Sequence, residues 1–422
     1  MGTIVYIDDL AEIKKVFAGD PAIYHAGEAN SMLRGMLGSS SILVIDDELH
    51  RERRRSMMAP FHRDAVTRQA DAIARIAAAN IANWPVGVTF PVAPRMSEIT
   101  LEVILRTVVG ASDPVRLSAL RQIMPKLLNL SPFALLAISN PGLQRKRPWR
   151  SVRRNIADAD RLLYAEIANR RRDPDLESRH DALSMLIRGE TAHGNRMTDN
   201  ELRDQLMTLL VAGHDTTATG LSWALERMIR HPDVLAKAVE AAEASAAGDP
   251  SGDEYLDAVA KETLRVRPVV FDVGRVLTRP TEIAGYRLAA GIMVAPAVGL
   301  VHSAPALYPA PHEFDPSRMQ GDAFIPAYWM PFGGGARRCL GATFAMTEMR
   351  IVLREVLLRT ELATTDRRGE RQKVKHVILV PGRGAQIRVS RVKSPAPQQI
   401  LPTTDSDPSP TPEGCCPSDT SK

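Results

Sequence analysis

The stretch that decides the fold reads PFGGGARRCLG and spans Pro331 to Gly341. Its three consecutive glycines are costly in conformational entropy, so they favour a loop whose backbone must approach another group closely. Cys339 follows them, and an amphipathic helix is predicted to begin near Leu340. Free backbone N–H groups and the dipole at a helix N-terminus favour a thiolate over a thiol. The stretch therefore predicts a cysteine that is held as an anion in a glycine-lined loop.

Several interpretations of Cys339 are open on the loop alone. A lone cysteine is most commonly a buried structural residue. A catalytic nucleophile would need a histidine base nearby in space, which one sequence does not exclude. A phosphate-binding loop would need Lys followed by Ser or Thr after the glycines, whereas this chain has Arg337 and Arg338 before Cys339. A thiolate can also be the axial ligand of a haem iron, where its electron donation favours O–O cleavage.

A second motif, AGHDTT at residues 212–217, lies in the middle of a long predicted helix. The helix begins at Thr198, which can form a capping box with Glu201, and it stops at Arg230 before Pro232. At 1.5 Å per residue it would run roughly 50 Å. A helix that spans a whole domain is predicted to be largely buried on both faces.

Polar residues inside a buried helix need partners, and this motif contains an acid and two hydroxyls. Hydroxyls that bond to the i−4 carbonyl can bend a helix open, and a groove of that kind would hold O2 and a water. Thr216 would then donate a hydrogen bond to the oxygen, and Asp215 would relay protons. The alternative is a packing glycine at Gly213 beside a satisfied polar cluster.

Two pairs of charged residues lie on further predicted helices. Glu262 and Arg265 are three residues apart, so they share one helical face and can form an ion pair. His50 and Arg54 are four residues apart and also share a face. Taken alone, the first pair is an ordinary surface ion pair and the second is part of a basic exposed helix.

Together the four signals resemble one family, the cytochrome P-450 haem-thiolate monooxygenases. The resemblance covers the chain to about Val392. The defined positions of the family's haem-loop signature are matched by Phe332, Gly335, Arg337, Cys339 and Gly341. Residues 212–216 match its oxygen-activation motif, and residues 262–265 match its K-helix motif. All three motifs occur in the expected order.

The resemblance implies a role for each site residue. Cys339 is the proximal ligand of the iron, and Phe332 shields its sulfur. Gly341 belongs to the same cofactor-binding loop, and the cofactor is haem b (heme b, iron protoporphyrin IX). Asp215 and Thr216 are the catalytic acid–alcohol pair. The residues implied to bind the haem propionates through charge-assisted hydrogen bonds are His50, Arg54, Arg275 and Arg337.

The resemblance also implies a structural triad beside the haem, and its members are Glu262, Arg265 and Arg318. The chain departs from the family at a few positions. Ser317 stands where the family often has Glu, and Ser303 follows His302 where the family often has Arg. The family usually carries one more helix and strand before a segment like Ile4 to Ile7. The chain is therefore expected to have a short start.

The pattern along the chain predicts a mainly α protein with small antiparallel β-sheets. The resemblance implies the cytochrome P-450 fold, as a single large domain over residues 1–393. Residues 377–380 and 386–389 are predicted to form a closing hairpin over Pro381 and Gly382. From Ser394 onward Pro, Ser, Thr and Asp dominate, so residues 394–422 are predicted to be a disordered tail.

Composition argues against several classes of protein. The formal net charge is +5 with a pI near 9.2, but no Lys/Arg block is interleaved with aromatics, so no nucleic-acid partner is expected. Residues 1–10 lack a basic n-region, and the longest apolar runs fall short of the ~20 residues that a transmembrane segment needs. The three cysteines suggest no disulfide framework, which favours a cytoplasmic protein.

The predicted reaction inserts one atom of O2 into a lipophilic substrate and releases the other as water. The chain has no Gly-x-Gly-x-x-Gly fingerprint, so electrons are expected from a ferredoxin or flavodoxin with its reductase. Basic residues that could attract this acidic partner are Arg51, Arg53, Arg55 and Arg338. The positions expected to line an apolar pocket are 211–212, 269–271 and 377–379. The alternatives are a haem-thiolate peroxygenase or isomerase, and a non-catalytic haem-binding protein.

Overall fold

Helices make up most of the chain in the computed structural model, which describes residues 3–128, 138, 142, 149–190 and 194–393. The tail predicted at residues 394–422 lies outside these described residues. The α-helices, in chain order, are α1 Leu10–Ala18, α2 Ala26–Ala29, α3 Arg34–Leu37, α4 Asp47–Met58, α5 Arg63–Thr67, α6 Ala70–Ile81, α7 Ala93–Val103, α8 Pro114–Leu128, α9 Arg150–Arg171, α10 Ala182–Arg188, α11 Asp199–Met228, α12 Pro232–Ala246, α13 Pro250–Val266, α14 Val298–His302 and α15 Ala342–Arg359.

The strands are short and form small sheets. Their bounds are β1 Ile4–Ile7, β2 Tyr24–His25, β3 Thr89–Pro91, β4 Arg275–Leu277, β5 Thr281–Ile283, β6 Tyr286–Leu288, β7 Met293–Pro296, β8 Thr360–Leu362, β9 Gln372–Lys375, β10 Ile378–Pro381 and β11 Gln386–Val392. One sheet has the order β1-β7-β4-β2, and another has the order β3-β11-β8. The β1–β7 pair is parallel, whereas the other paired strands run antiparallel.

The long helix α11 begins as the sequence predicts. The Thr198 hydroxyl accepts a hydrogen bond from the Glu201 backbone N–H, and the Glu201 carboxylate accepts one from the Thr198 N–H. Side chains on all sides of α11 are buried, and Trp223 is completely so. Pro232 not only follows the end of α11 but also occupies the first position of α12, where a missing N–H costs nothing.

The predicted hairpin between residues 377–380 and 386–389 is wrong. Strand β10 pairs with β9, which precedes it, and Ile378 lies opposite Lys375. Strand β11 pairs instead with β3 and β8. The cause is the buried carboxylate of Glu370, which accepts hydrogen bonds from the backbone N–H groups of Arg383, Ala385 and Gln386. These bonds fix residues 383–386 and lead the chain away from β10.

The main hydrophobic core joins the helices that surround the candidate site. It contains buried side chains from α6, α7, α11, α13 and α15. A smaller cluster lies beneath the β1–β7 sheet and includes Ile13 of α1 and Met330. The loop of residues 331–341 connects these two regions, with α1 on one side and α15 on the other.

Candidate functional site

The cysteine loop is held in shape by its glycines and by its own backbone. Gly335 has a φ of +63°, and a Cβ at this position would overlap the carbonyl oxygen of Phe17 at the end of α1. The Cys339 N–H donates to the Phe332 carbonyl at 2.9 Å, which closes the loop. The glycine run therefore serves the close approach that the sequence indicated, and the group approached is the backbone of α1.

The Cys339 thiol lies inside the molecule but is not covered by protein. Its side chain is exposed, although enough protein surrounds it that burial raises its pKa. The Gly341 backbone N–H, Arg54 and Arg338 lower the pKa in part. The sulfur is therefore accessible although protein atoms surround it on most sides. Because burial outweighs the N–H group and the arginines, a thiolate at this position requires a further positive charge.

The central part of α11 contributes accessible small side chains. Ala212 is exposed and Thr216 is half-buried, in a helix whose other residues are mostly buried. The Thr216 hydroxyl donates to the Ala212 carbonyl at 2.8 Å, and the Thr217 hydroxyl donates to the Gly213 carbonyl at 3.1 Å. The hydroxyls thus bond to i−4 carbonyls as expected, but the α-helix continues without interruption through the motif. The motif therefore leaves no break in the helix, and the groove for O2 that the sequence suggested stays a prediction.

Gly213 is the packing glycine that the alternative interpretation predicted. A Cβ at this position would overlap the side chain of Ile104, which belongs to a π-helical turn at Ile104–Val108. From α7, Thr100 donates a hydrogen bond to the His214 carbonyl at 3.0 Å. The polar groups of the motif therefore have partners, as the packing interpretation predicted, and the role of Asp215 and Thr216 in oxygen activation stays a prediction.

Asp215 has a charged partner that the sequence did not reveal. Its Oδ2 lies 2.9 Å from Nζ of Lys375, at the end of β9. Both side chains are partly buried. The wrong hairpin register in the sequence prediction concealed this contact, because β9 was not predicted as a strand.

A cluster of basic side chains, in which three arginines carry the charge and His50 is neutral, lies beside the cysteine loop. Burial lowers the pKa of His50 to about 3, with Arg337 and Arg54 acting in the same direction. Burial and Arg337 lower the pKa of Arg275 to about 10. Arg275 donates to the Gly274 carbonyl at 2.8 Å, and among the described residues no carboxylate forms a salt bridge with it. The cluster therefore has a deficit of negative charge.

Asp46 is the carboxylate that the sequence analysis missed in this cluster. It forms a short ion pair with Arg337, and its oxygens accept the N–H groups of Gly27 at 2.8 Å and Glu28 at 2.9 Å. An aspartate just before a helix usually indicates an N-cap, but Asp46 makes no side-chain cap on α4. The sequence feature that could have identified Asp46 as a member of the cluster is its position four residues before His50.

The acidic and basic residues of α13 form a buried pair. Arg265 donates from Nε and Nη2 to the two carboxylate oxygens of Glu262, each at 2.7 Å, and both side chains are fully buried. The Arg265 guanidinium also donates to the carbonyls of His302 and Pro311. Arg318 lies 3.9 Å from Glu262, so it is a weaker third member. This pair is a tertiary anchor for residues 302–315 and not a surface ion pair.

Comparison with known proteins shows the origin of this arrangement. The family profile described as Cytochrome P450 matches residues 2–389. A Mycobacterium tuberculosis protein named cytochrome P450 135B1 is 69% identical over 388 residues, which are 92% of this chain and 82% of the relative. The chain belongs to the cytochrome P450 family. A second protein of that organism, named cytochrome P450 135A1, is 39% identical over 89% of this chain and 83% of its own length.

Solved P450 structures share the fold. A retinoic-acid-bound cyanobacterial CYP120A1 has a TM-score of 0.78 at 24% identity, and covers 92% of this chain and 88% of its own. The haem domain of cytochrome P450DA also has a TM-score of 0.78, at 23% identity, and covers 93% of this chain and 88% of its own. The predicted fold, mainly α with small sheets in a single domain, is thereby confirmed. At these identities the two structures report on the fold alone.

Members of this family are haem-thiolate monooxygenases, and the residues of this chain fit the haem. The accessible sulfur of Cys339 lacks a cation, and a haem iron would supply one, since a metal ion deprotonates a coordinating thiol. The basic cluster has an excess of positive charge, which two haem propionates would offset. Ala212 of α11 is small and accessible, so it would leave room for a flat ring.

The structure brings most of the predicted site residues together. Arg54 interacts electrostatically with Cys339, and His50 and Arg275 both do so with Arg337. The Phe332 ring packs edge-to-face on Trp329 at 5.8 Å between centroids. Its shielding of the sulfur stays a prediction.

One residue of the proposed partner surface is placed differently. Arg53 is buried and forms a short ion pair with Glu201 at the start of α11, so it cannot attract a partner protein. Arg51, Arg55 and Arg338 are exposed, as that surface requires. Within the described residues, none of the helices combines the length and apolar character needed to cross a bilayer.

Proposed function

We propose that this P450 uses haem b to hydroxylate or otherwise monooxygenate a lipophilic substrate in the cytoplasm. Electrons would come from a ferredoxin or flavodoxin with its reductase. The observation that carries the proposal is the accessible Cys339 sulfur in a desolvated environment, next to a basic cluster in which Asp46 pairs with Arg337 and Arg275 has no salt bridge among the described residues. Membership of the family establishes the general monooxygenase activity. The residues around Cys339 support the more specific proposal made here.

Each group of residues has a separate task in this proposal. Cys339 would ligate the iron, and the cations would hold the propionates through charge-assisted hydrogen bonds. The bound haem would supply the binding and reductive activation of O2. The residues that would bind the propionates are His50, Arg54, Arg275 and Arg337. Gly341 would keep the thiolate in place through its backbone N–H.

The protons would pass through the acid–alcohol pair. Substrate RH, O2, two electrons and two protons give ROH and one water, so two protons must reach the site in each turnover. Asp215 would take a proton from solvent at its carboxylate, and Thr216 would hold a water or hydroxyl group in the site through its Oγ1. The two residues are consecutive in the partly accessible middle of α11, which suits a short relay.

The predicted pocket residues support a lipophilic substrate. Ala212 and Val377 are exposed, and Val211, Val270, Phe271 and Leu379 are half-buried. Val269 and Ile378 are buried and belong to the core. The accessible residues of the predicted lining are thus apolar, and burying a substrate against them would release water from apolar surface.

Isotope incorporation tests the proposal. The haem-loaded chain receives ferredoxin, its reductase, NADH and ¹⁸O2, with catalase present to remove peroxide, and lipids, steroids, terpenes and fatty acids are screened as substrates. We expect one ¹⁸O atom in the product and one in water, and no product from Cys339→Ala. Product formation that needs only peroxide would favour a peroxygenase. Spin-state shifts with highly charged ligands alone would contradict the lipophilic pocket.

A further inference from the structure

The β9–β10 hairpin extends toward the middle of α11. Its turn consists of His376 and Val377, and His376 has a φ of +57°. The imidazole Nε2–H of His376 donates to the Leu128 carbonyl at the end of α8, at 3.1 Å. Val377 is 69% exposed, although the residues on either side of it have partners. The tip of the hairpin is therefore fastened to α8 by its histidine.

Two further hydrogen bonds fix the hairpin near α11. The Trp223 indole N–H donates to the Leu379 carbonyl at 3.0 Å, and the Leu379 N–H donates to the Val269 carbonyl at 2.8 Å. Trp223 is fully buried in α11, two turns beyond the AGHDTT motif. The hairpin backbone is thus tied to α8, α11 and the segment after α13. A side chain at its tip has a defined position relative to the motif.

Lys375, the last residue of β9, contacts Asp215 of α11. The ammonium lies 2.9 Å from Oδ2 of Asp215, across 160 positions of sequence. The side chains retain only 30% and 18% of their accessible surface, so water competes weakly for either charge. Among the described residues, Lys375 is the cation that pairs with this carboxylate. Burial lowers the pKa of the neighbouring His214, which disfavours a second positive charge beside Asp215.

We propose that Lys375 is a positioning residue for proton transfer, which holds the Asp215 carboxylate in one orientation during turnover. This role rests on the proposed function of Asp215. Asp215 gives up one proton toward the oxygen site and takes one from solvent for each proton delivered. The ammonium keeps all of its own protons throughout. Without it, the carboxylate would leave this orientation for water and would deliver protons more slowly.

The test compares four variants of the haem-bound protein with wild type. Lys375→Met removes the charge, Lys375→Arg keeps it, and Asp215→Asn removes its partner. The matched control is Lys373→Met, because Lys373 is exposed, lies two residues earlier on β9 and therefore shares its face. Product formed per NADH and the H2O/D2O rate ratio are measured with any substrate that the wild type accepts.

We expect Lys375→Met to reduce the product-to-NADH ratio by about 10- to 100-fold, because a misplacement of about 1 Å can cost roughly 100-fold in rate. Its H2O/D2O rate ratio should rise, since proton delivery becomes slower. Lys375→Arg should restore most of both values, and Lys373→Met should match wild type. Equal ratios in Lys375→Met and Lys373→Met would overturn the positioning role.

A second measurement does not depend on activity. The midpoints of urea unfolding are compared for Lys375→Met, Asp215→Asn and the double variant. We expect the shift of the double variant to be smaller than the sum of the single shifts, as for a contacting pair. Additive shifts would show that the pair is not formed in solution and would overturn the inference. A wild type that binds haem but forms no product with any electron donor would overturn the proposed function, and this role with it.

Discussion

Arg275 offers a prediction in which protein stability and haem affinity change in opposite directions. Its pKa falls well below the ordinary value of an arginine, to about 10, first because of burial and then because of Arg337, although Asp46 acts the other way. A shift of this size corresponds to about 3 kcal/mol of unfavourable charging. Arg275→Met removes this cost and loses one hydrogen bond to Gly274, worth about 1 kcal/mol. The haem-depleted variant should therefore be about 2 kcal/mol more stable than wild type.

The haem-bound protein should respond in the opposite direction. Arg275→Met would remove a charge-assisted hydrogen bond to a propionate, worth about 1.5–3 kcal/mol. Haem affinity should fall roughly 10- to 100-fold, which transfer of haem to apomyoglobin would measure. Urea titration of the haem-depleted protein gives the stability. Arg279→Met is the control, because Arg279 is exposed two residues beyond β4. Unchanged haem affinity together with lower stability of the haem-depleted variant would refute the reasoning.

Three further predictions concern stability. In the haem-depleted protein, lowering the pH from 7 to 4 should cost about 3 kcal/mol through His50, because the unfolded chain takes up a proton near pH 6.5 and the folded chain only near pH 3. His50→Gln should abolish that loss in urea titrations. Glu262→Gln should cost about 3–5 kcal/mol of unfolding free energy, because the buried Arg265 loses its counter-charge; a loss below about 1 kcal/mol would contradict this account. Gly335→Ala should lower the melting temperature and haem retention, through about 2–4 kcal/mol of strain and overlap with Phe17. Gly341→Ala should cost less in both measurements, since its Cβ would meet no atom within 4 Å.

The parts of the site that follow local rules were predictable from sequence. The capping box at Thr198 fixes the start of α11, and the glycines before Cys339 indicate a close backbone approach. In both cases the decisive contacts join residues that are near each other in the chain or depend on residue type alone. The roles of the cations came from the family resemblance, and the structure supplies the burial and the missing counter-charges.

The parts that depend on distant contacts were not predictable from sequence. The partner of Asp215 is Lys375, and their contact exists only because β10 pairs with β9. That register depends in turn on Glu370, whose carboxylate accepts hydrogen bonds from three backbone N–H groups. Arg53 was misplaced for a similar reason, because its partner Glu201 lies on another helix. Periodicity along one segment contains no information about such partners.

The contact between Gly335 and the carbonyl of Phe17 has a consequence for biosynthesis. The two residues lie 318 positions apart, yet the cysteine loop rests on the end of α1. At about 5–20 residues per second, a ribosome needs roughly 15–65 s to make the chain between them. The end of α1 must wait that long for this contact, and the cysteine loop cannot take up its final position until residue 341 has left the exit tunnel. A chaperone that assists this protein should therefore act on α1 during that interval.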